Sequence, residues 1–147
     1  AVTLNPFLGY DTLEPFLDWE GKGVYLLAVT SNPGSVDFQR RDCEGKKLFE
    51  RVGELCERAQ SEGRKTTAGL VVGLTNADGD VLENLPDVPL LVPGLGAQGG
   101  SLDSLAGSGR NAASVINVSR GIIYAEGDND YAGLARHWAD EITKSLS

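Results

Sequence analysis

Two segments in the second half of the chain carry residue types suited to binding a phosphate group. The run Pro93–Gly100, with the sequence PGLGAQGG, follows one apolar stretch, and Ser119–Gly121 follows the next. Glycines let backbone amides approach an anion closely, and the Gln98 side chain adds a further donor. The Arg120 guanidinium can form two parallel, charge-assisted hydrogen bonds to phosphate oxygens. Together the two segments predict a phosphate-binding site.

Both segments follow runs that have the pattern of strands in a parallel sheet. These runs are apolar and rich in β-branched residues without alternation, as expected of strands covered on both faces. Strands are predicted at residues 1–6, 24–29, 68–74, 89–92 and 114–118. Helical segments separate them and no hairpin signal lies between them, which indicates right-handed β-α-β crossovers. The predicted class is therefore α/β with a parallel sheet.

Helices are predicted from capping residues and from apolar residues at helical spacing. Asp11–Glu14 has the spacing of a capping box, which predicts a short helix from there to about Trp19. Apolar residues recur at helical spacing over 45–63 and 131–146. Shorter helices are predicted at 79–85 and near 121–124.

Two architectures fit this pattern, the doubly wound dinucleotide-binding sheet and the (β/α)8 barrel. Gly94, Gly96 and Gly99 satisfy the dinucleotide fingerprint G-x-G-x-x-G, but the segment after them is short and broken by glycines. Arg120 stands where that fold needs a ribose-binding carboxylate, although an arginine suits a 2′-phosphate. In barrels the loops after the last two strands, with a short extra helix, commonly bind phosphate. The pattern favours the barrel.

Composition restricts the classes of partner. The 147 residues carry a net charge of -8, which argues against nucleic acid because its binders usually present a basic surface. Cys43 and Cys56 are too few for a disulfide scaffold or a four-ligand zinc site and are interpreted as inert thiols. No apolar run approaches the roughly 20 residues that span a bilayer, and no signal peptide opens the chain. We therefore expect a cytoplasmic protein with no membrane partner.

Four segments resemble a known family, orotidine 5′-monophosphate decarboxylase, and more closely its bacterial branch. They are Val2–Pro6, Val29–Gly34, Val92–Gly100 and Asn117–Tyr124, in the family's order, and together they extend over nearly the whole chain. The string P-G-x-G-A-Q-G-G is the most specific part. The resemblance implies that residues 1–147 are the C-terminal portion of one (β/α)8 barrel and supply its last five β/α units. The N-terminal strands of the barrel are then absent from this chain.

The resemblance also implies a role for each matching loop. Ser31 is similar to the serine that hydrogen-bonds the pyrimidine edge, and Gln98 to the glutamine that bridges base and phosphate. Arg120 is similar to the arginine that pairs with the phosphate, while Ser119 stands where many relatives have glycine. The implied substrate-binding set is Ser31, Pro93, Gln98, Gly99, Ser119, Arg120 and Gly121.

The family's chemistry belongs to alternating lysines and aspartates around a D-x-K-x-x-D-type motif, which this chain lacks, so no catalytic residue is assigned here. The resemblance implies release of carbon dioxide from orotidine 5′-monophosphate to give uridine monophosphate (UMP) in pyrimidine synthesis, without metal or cofactor and as a homodimer. The β-rich opening without an initiator Met predicts a chain that begins inside a fold. We therefore expect this chain alone to be inactive and to need the missing N-terminal part of the barrel.

Two other classes remain open on the residues alone. One is another phosphate-binding barrel, such as a lyase or epimerase, which shares the phosphate site without needing both the serine and the glutamine. The other is a non-catalytic half-barrel fragment that binds a nucleotide weakly or serves in assembly. Ordinary structural roles are predicted for His137, on the polar side of the last helix, and for Glu50, Glu54 and Glu57, on a solvated helix face.

Overall fold

The strands form one parallel sheet and a separate small hairpin. The computed structural model describes residues 1–73, 75, 79–95, 102–125 and 130–146. In chain order its strands are β1 (Val2–Leu4), β2 (Gly23–Val29), β3 (Asp42–Cys43), β4 (Lys46–Lys47), β5 (Thr67–Val72), β6 (Leu90–Pro93) and β7 (Ser114–Asn117). The sheet has the order β1-β2-β5-β6-β7, and every neighbouring pair in it is parallel. The predicted α/β class is confirmed.

The helices alternate with these strands. They are α1 (Glu14–Leu17), α2 (Leu48–Ser61), α3 (Gly79–Glu83), α4 (Asp103–Ala106), α5 (Arg120–Ile123) and α6 (Tyr131–Leu146), with short 3-10 helices at Pro6–Leu8, Tyr10–Thr12 and Pro33–Asp37. The bounds of α6 are those predicted, and α2 and α3 lie within their predicted ranges. In the stretches that the structure describes, no helix has both the length and the apolar character needed to cross a bilayer.

The connection from β2 to α2 contains a hairpin that the sequence pattern did not predict. Strands β3 and β4 pair antiparallel. The residues between them, Glu44 and Gly45, have φ angles of 56° and 80°, the left-handed conformation that a tight two-residue hairpin turn requires. Each strand is two residues long and fully exposed. Such strands have no hydrophobic alternation from which they could be predicted.

The capping box predicted for the first helix is wrong. Asp11 lies inside the 3-10 turn Tyr10–Thr12, and the residue before α1 is Leu13, which makes no side-chain cap. Tyr10, Leu13 and Leu17 are all buried. Their burial sets the course of the backbone, so tertiary packing overrides the local capping signal.

One face of the sheet packs against the helices. Leu26, Leu70 and Leu90 are neighbours across β2, β5 and β6, and each is at most 1% exposed. Cys56 and Ala59 of α2 belong to the same apolar cluster. Burying one leucine side chain contributes about 2 kcal/mol. This cluster therefore fixes the three strands relative to one another, and with them the loops that follow their carboxyl ends.

The opposite face of the sheet is only partly covered. Leu27, Val71, Leu91 and Val115 are neighbours across four strands, and we call them the inner row. Leu27 and Leu91 are half-buried, and Val115 is 50% exposed. The interior of a (β/α)8 barrel is filled by layers of side chains from strands around its circumference. The inner row is the surface that further strands of a barrel would cover.

A charged cluster near the amino end of the sheet links the start of the chain to α2. The Glu62 carboxylate accepts hydrogen bonds from Arg58 Nε at 2.7 Å, from the Tyr10 hydroxyl at 2.9 Å and from Arg64 Nε at 3.0 Å. Arg64 also donates to Glu14 of α1. The bond from Arg58, followed by that from Tyr10, lowers the pKa of Glu62 from 4.5 to about 2.

We expect this cluster to make stability depend on pH. A carboxylate with a lowered pKa in the folded state stabilises the fold fully above its unfolded pKa, and this contribution is lost as pH falls toward 2. Glu62→Gln should lower the melting temperature at pH 7 and reduce its fall between pH 5 and pH 2. Glu57→Gln, at an exposed position within α2, is the matched control. Identical melting curves for the two variants across that range would contradict the prediction.

Candidate functional site

The predicted site residues follow the carboxyl ends of three strands. Ser31 lies two residues after the end of β2, Pro93 is the last residue of β6, and Ser119 lies two residues after the end of β7. Arg120 and Gly121 are the first two residues of α5. Because the strands are parallel, all of these positions lie at one edge of the sheet. Open α/β sheets and barrels bind their ligands at this edge.

The two segments predicted to bind phosphate begin side by side. Pro93 pairs with Asn117 across β6 and β7, and neighbouring strands lie about 5 Å apart. Gly94 has a φ angle of 107°, a conformation that favours glycine, and it turns the chain directly after β6. Gln98 and Gly99 lie outside the described residues. Ser31 is three inter-strand spacings from β7, roughly 14 Å, a separation suited to opposite ends of one elongated ligand.

The Arg120 side chain is exposed at this edge. The ordinary role of an exposed arginine is a surface ion pair. In the described part of the chain, however, the guanidinium of Arg120 has no carboxylate within ion-pair distance and no hydrogen-bond acceptor. Its donors are therefore available to an anionic ligand.

Ser119 fits its position without strain. Its φ and ψ angles are -103° and -63°, a conformation open to any residue, so the backbone here does not require glycine. Its hydroxyl accepts a hydrogen bond from Asn117 Nδ2 at 3.1 Å. The link joins the end of β7 to the start of α5.

Helix α6 holds α5 in place through a tryptophan. Trp138 Nε1 donates to the carbonyl of Gly121 at 3.2 Å. A Cβ atom placed on Gly121 would lie 3.1 Å from Trp138 Nε1 and from its Cζ2, which leaves little room for any side chain. Trp138 is thus a packing residue, and it also fixes the backbone next to Arg120. The neighbouring His137 is exposed, and its ring packs edge to face against that of Trp138, with the two ring centroids 5.6 Å apart.

The hydroxyl of Ser31 lies against the end of β5. A Cβ atom placed on Gly73 would lie 2.2 Å from Ser31 Oγ and 2.8 Å from the Ser31 nitrogen. Ser31 Oγ is buried and has no hydrogen-bond partner among the described residues. An unsatisfied buried hydroxyl costs about 1–3 kcal/mol, and the polar edge of a bound ligand would remove that cost.

Gly73→Ala is expected to displace Ser31. The added methyl group overlaps both the hydroxyl and the backbone of Ser31, so we expect a loss of about 2 kcal/mol in the free energy of unfolding. Gly107→Ala is the matched control, because its Cβ would meet only the Asp103 carbonyl at an ordinary 3.4 Å, and it should change stability by less than about 0.5 kcal/mol. Equal chemical-denaturation midpoints for the two variants would refute the contact.

Two residues that support the site were missed by sequence reasoning, Gly73 and Gln39. Gly73 is one of 19 glycines, and nothing local distinguishes it. The Gln39 amide bonds to both the backbone and the side chain of Thr30, the residue before Ser31. The Gly73 contact joins residues of two different strand-to-helix connections, and the Gln39 contact closes a nine-residue loop that has no periodic pattern. No local pattern could therefore have revealed them.

The remaining polar candidates have structural roles in the described part of the chain. Glu54 pairs with Lys46 at 2.6 Å and with Arg51 at 3.1 Å, which fits the predicted solvated face. No three His, Cys, Asp or Glu side chains in the described stretches lie close enough together to hold a metal ion. Burial raises the pKa of the Cys56 thiol to about 12, so this thiol stays protonated. Cys43 is exposed.

A parallel sheet flanked by helices, with a glycine turn and an exposed arginine after its last two strands, has the form of the phosphate-binding (β/α)8 barrels. Within that class the chain belongs to one family. The model of the orotidine 5′-phosphate decarboxylase / HUMPS family matches residues 1–134. The barrel class and the family resemblance predicted from the sequence are both confirmed.

Curated relatives and solved structures agree with this assignment. Orotidine 5′-phosphate decarboxylase of Aromatoleum aromaticum is 46% identical over 145 residues, which are 95% of this chain and 53% of that protein. The one from Porphyromonas gingivalis is 46% identical over 140 residues, 92% of this chain and 50% of that protein. The structure of Leishmania donovani OMP decarboxylase has a TM-score of 0.80 at 34% identity and covers 98% of this chain and 56% of that one. The chain spans about half the length of the curated relatives it matches.

Proposed function

We propose that this chain, residues 1–147, is the nucleotide-binding C-terminal portion of an orotidine 5′-phosphate decarboxylase barrel. The proposed reaction releases carbon dioxide from orotidine 5′-monophosphate and yields UMP. The observation that carries the proposal is the Arg120 guanidinium, which has no partner among the described residues, at the strand edge of a chain that belongs to this family. Ser31, whose hydroxyl has no partner within the described stretches, supports a second contact at the same edge.

The proposed site binds the two ends of one nucleotide. Arg120 pairs with the phosphate, with help from the backbone at Gly121 and Ser119 and from the turn after Pro93. The Ser31 hydroxyl bonds the pyrimidine edge, since it can both donate and accept. Gln98 and Gly99 are assigned to the same site by the family resemblance. The phosphate contacts are remote from the reacting carbon, so their binding energy can stabilise the transition state.

The proposed chemistry takes place on residues outside this chain. The bond between the ring carbon and the carboxylate breaks, carbon dioxide leaves, and the electron pair stays on the ring carbon. A lysine of the D-x-K-x-x-D-type motif supplies the proton to that carbon, and its ammonium stabilises the developing charge. The motif does not occur in the 147 residues. No metal or cofactor takes part in the proposed steps.

Two protein partners are proposed. The N-terminal part of the barrel would cover the inner row, whose Val115 is 50% exposed. A second copy of the protein would cover the exposed Phe7 and Phe38, which line an apolar cavity of about 640 Å³ beside β2 and α2. Exposed apolar surface of this kind marks protein interfaces. We place the protein in the cytoplasm, in line with its two free cysteines.

Carbon dioxide release from orotidine 5′-monophosphate tests the proposal directly. We expect no turnover by the 147-residue chain alone and turnover when an N-terminal half carrying the motif is supplied in trans or in one polypeptide. Turnover by the chain alone would mean that residues 1–147 contain the catalytic residues, and it would refute the assignment of catalysis to the N-terminal part of the barrel. Tighter binding of ribulose 5-phosphate than of UMP by the complete protein would favour the epimerase class instead.

A further inference from the structure

We infer that Gln39 is a positioning residue that sets the direction of the Ser31 hydroxyl and so controls affinity for the base of the nucleotide. This inference rests on the proposed function, in which Ser31 bonds the pyrimidine. Gln39 lies in the connection from β2 to α2 and is half-buried. It has no role in the phosphate site.

The Gln39 side-chain amide forms two hydrogen bonds with Thr30. Its Oε1 accepts from the backbone nitrogen of Thr30 at 2.8 Å, and its Nε2 donates to Thr30 Oγ1, also at 2.8 Å. Thr30 Oγ1 in turn donates to Asn32 Oδ1 at 2.6 Å. The residues on both sides of Ser31 are therefore held by one chain of hydrogen bonds that begins at Gln39.

The backbone of Gln39 is itself anchored. Its nitrogen donates to the Ser35 carbonyl at 3.0 Å, and its carbonyl accepts from the nitrogen of Phe49 at 3.0 Å. Phe49 lies in the first turn of α2 and is 3% exposed, in the core of the protein. The grip on Thr30 is thus fixed to the main helix rather than to a free loop.

The chemistry of this position requires an amide. Thr30 Oγ1 has one proton, which it gives to Asn32, so it can only accept from residue 39, whereas the Thr30 backbone nitrogen can only donate. A side chain of this length with one donor and one acceptor matches both groups. A methionine offers no donor, and a carboxylate would set an acceptor oxygen against Thr30 Oγ1.

The consequence falls on Ser31. Its flanking residues are held by Gln39, and its own Oγ lies against Gly73, within a space too small for a methyl group. The hydroxyl has no hydrogen-bond partner among the described residues. Within that part of the chain, its direction is therefore set by the Ser31 backbone and by packing against Gly73. Loss of the Gln39 grip would free the Thr30–Asn32 turn and leave the hydroxyl without a fixed direction.

A double-mutant cycle between Gln39 and Ser31 tests the inference on the full-length protein, the chain joined to the rest of its barrel. UMP and ribose 5-phosphate are titrated calorimetrically into wild type, Gln39→Met, Ser31→Ala and the double variant. We expect Gln39→Met to weaken UMP binding about tenfold and to leave ribose 5-phosphate binding unchanged. In the Ser31→Ala background the same change should have no further effect. Gln60→Met, at an exposed glutamine on α2, should match wild type.

Three outcomes would overturn the inference. Equal weakening of both ligands by Gln39→Met, or additive effects in the double variant, would make Gln39 a general structural residue while leaving the role of Ser31 intact. Unchanged UMP binding in Ser31→Ala would instead overturn the base contact, and with it both the proposed function and the role of Gln39. Gln39→Glu keeps the side-chain length and serves in the same cycle if Gln39→Met does not fold.

Discussion

Arg120→Ala is expected to weaken UMP binding by the full-length protein about 100-fold and to leave uridine binding unchanged. The guanidinium forms charge-assisted bonds to the phosphate dianion, and their loss corresponds to about 3 kcal/mol. Uridine has no phosphate, so its affinity is expected to be the same in wild type and variant. Calorimetric titration of both ligands at one fixed ionic strength measures the difference.

The control for this prediction separates a specific contact from net charge. Arg136→Ala removes the same charge from an exposed position on α6, and it should change UMP affinity less than twofold, since surface charges are screened by salt. Equal losses for UMP and uridine in Arg120→Ala would remove Arg120 from the phosphate site. Equal losses of UMP affinity in the two variants would reduce the effect to overall charge.

Arg110→Met is expected to lower the free energy of unfolding by about 3 kcal/mol. The Arg110 side chain is 6% exposed. Its guanidinium donates to the carbonyls of Leu85 at 3.2 Å and Val88 at 3.0 Å, and also to that of Pro86. Removal of the arginine takes the donor from the Leu85 and Val88 carbonyls, whereas the Pro86 carbonyl still accepts from the Val88 nitrogen at 2.8 Å. The segment they belong to leads into β6, so the loss also loosens the strand that precedes the glycine turn.

Arg41→Met is the matched control for Arg110→Met, because Arg41 is exposed and its replacement should cost less than about 0.5 kcal/mol. Urea unfolding followed by circular dichroism measures both variants. Burial lowers the pKa of Arg110 below its usual range, with the charge of Asp87 opposing that effect. A loss below 1 kcal/mol in Arg110→Met would mean that the carbonyls find other donors.

The sequence predicts the parallel strands and the long helices of this protein well, because these elements depend on local patterns. Strand β2 is a continuous apolar run, and α6 repeats apolar residues at helical spacing, so both appear in the structure where predicted. The hairpin at Glu44 and Gly45 and the split start of α1 were not predicted. Hairpin strands of two residues lack a period, and packing of Leu13 decided the course of the first helix.

The candidate site is predicted in part, and for a similar reason. Ser31 and Arg120 follow strands, so the parallel sheet places them at one edge. Gln98 stays a prediction because it lies outside the described residues. Arg110, Gln39 and Gly73 could not be found from the sequence, since their roles depend on how irregular segments fold back on one another and on a close approach that only the folded backbone creates.

In the proposed barrel, the melting temperature of this chain depends on the concentration of the strands that cover the inner row. A species that binds only the folded form raises the folding equilibrium in proportion to its own concentration. The melting temperature of these residues should therefore climb with the concentration of any complementary polypeptide that seals Leu91 and Val115 from water.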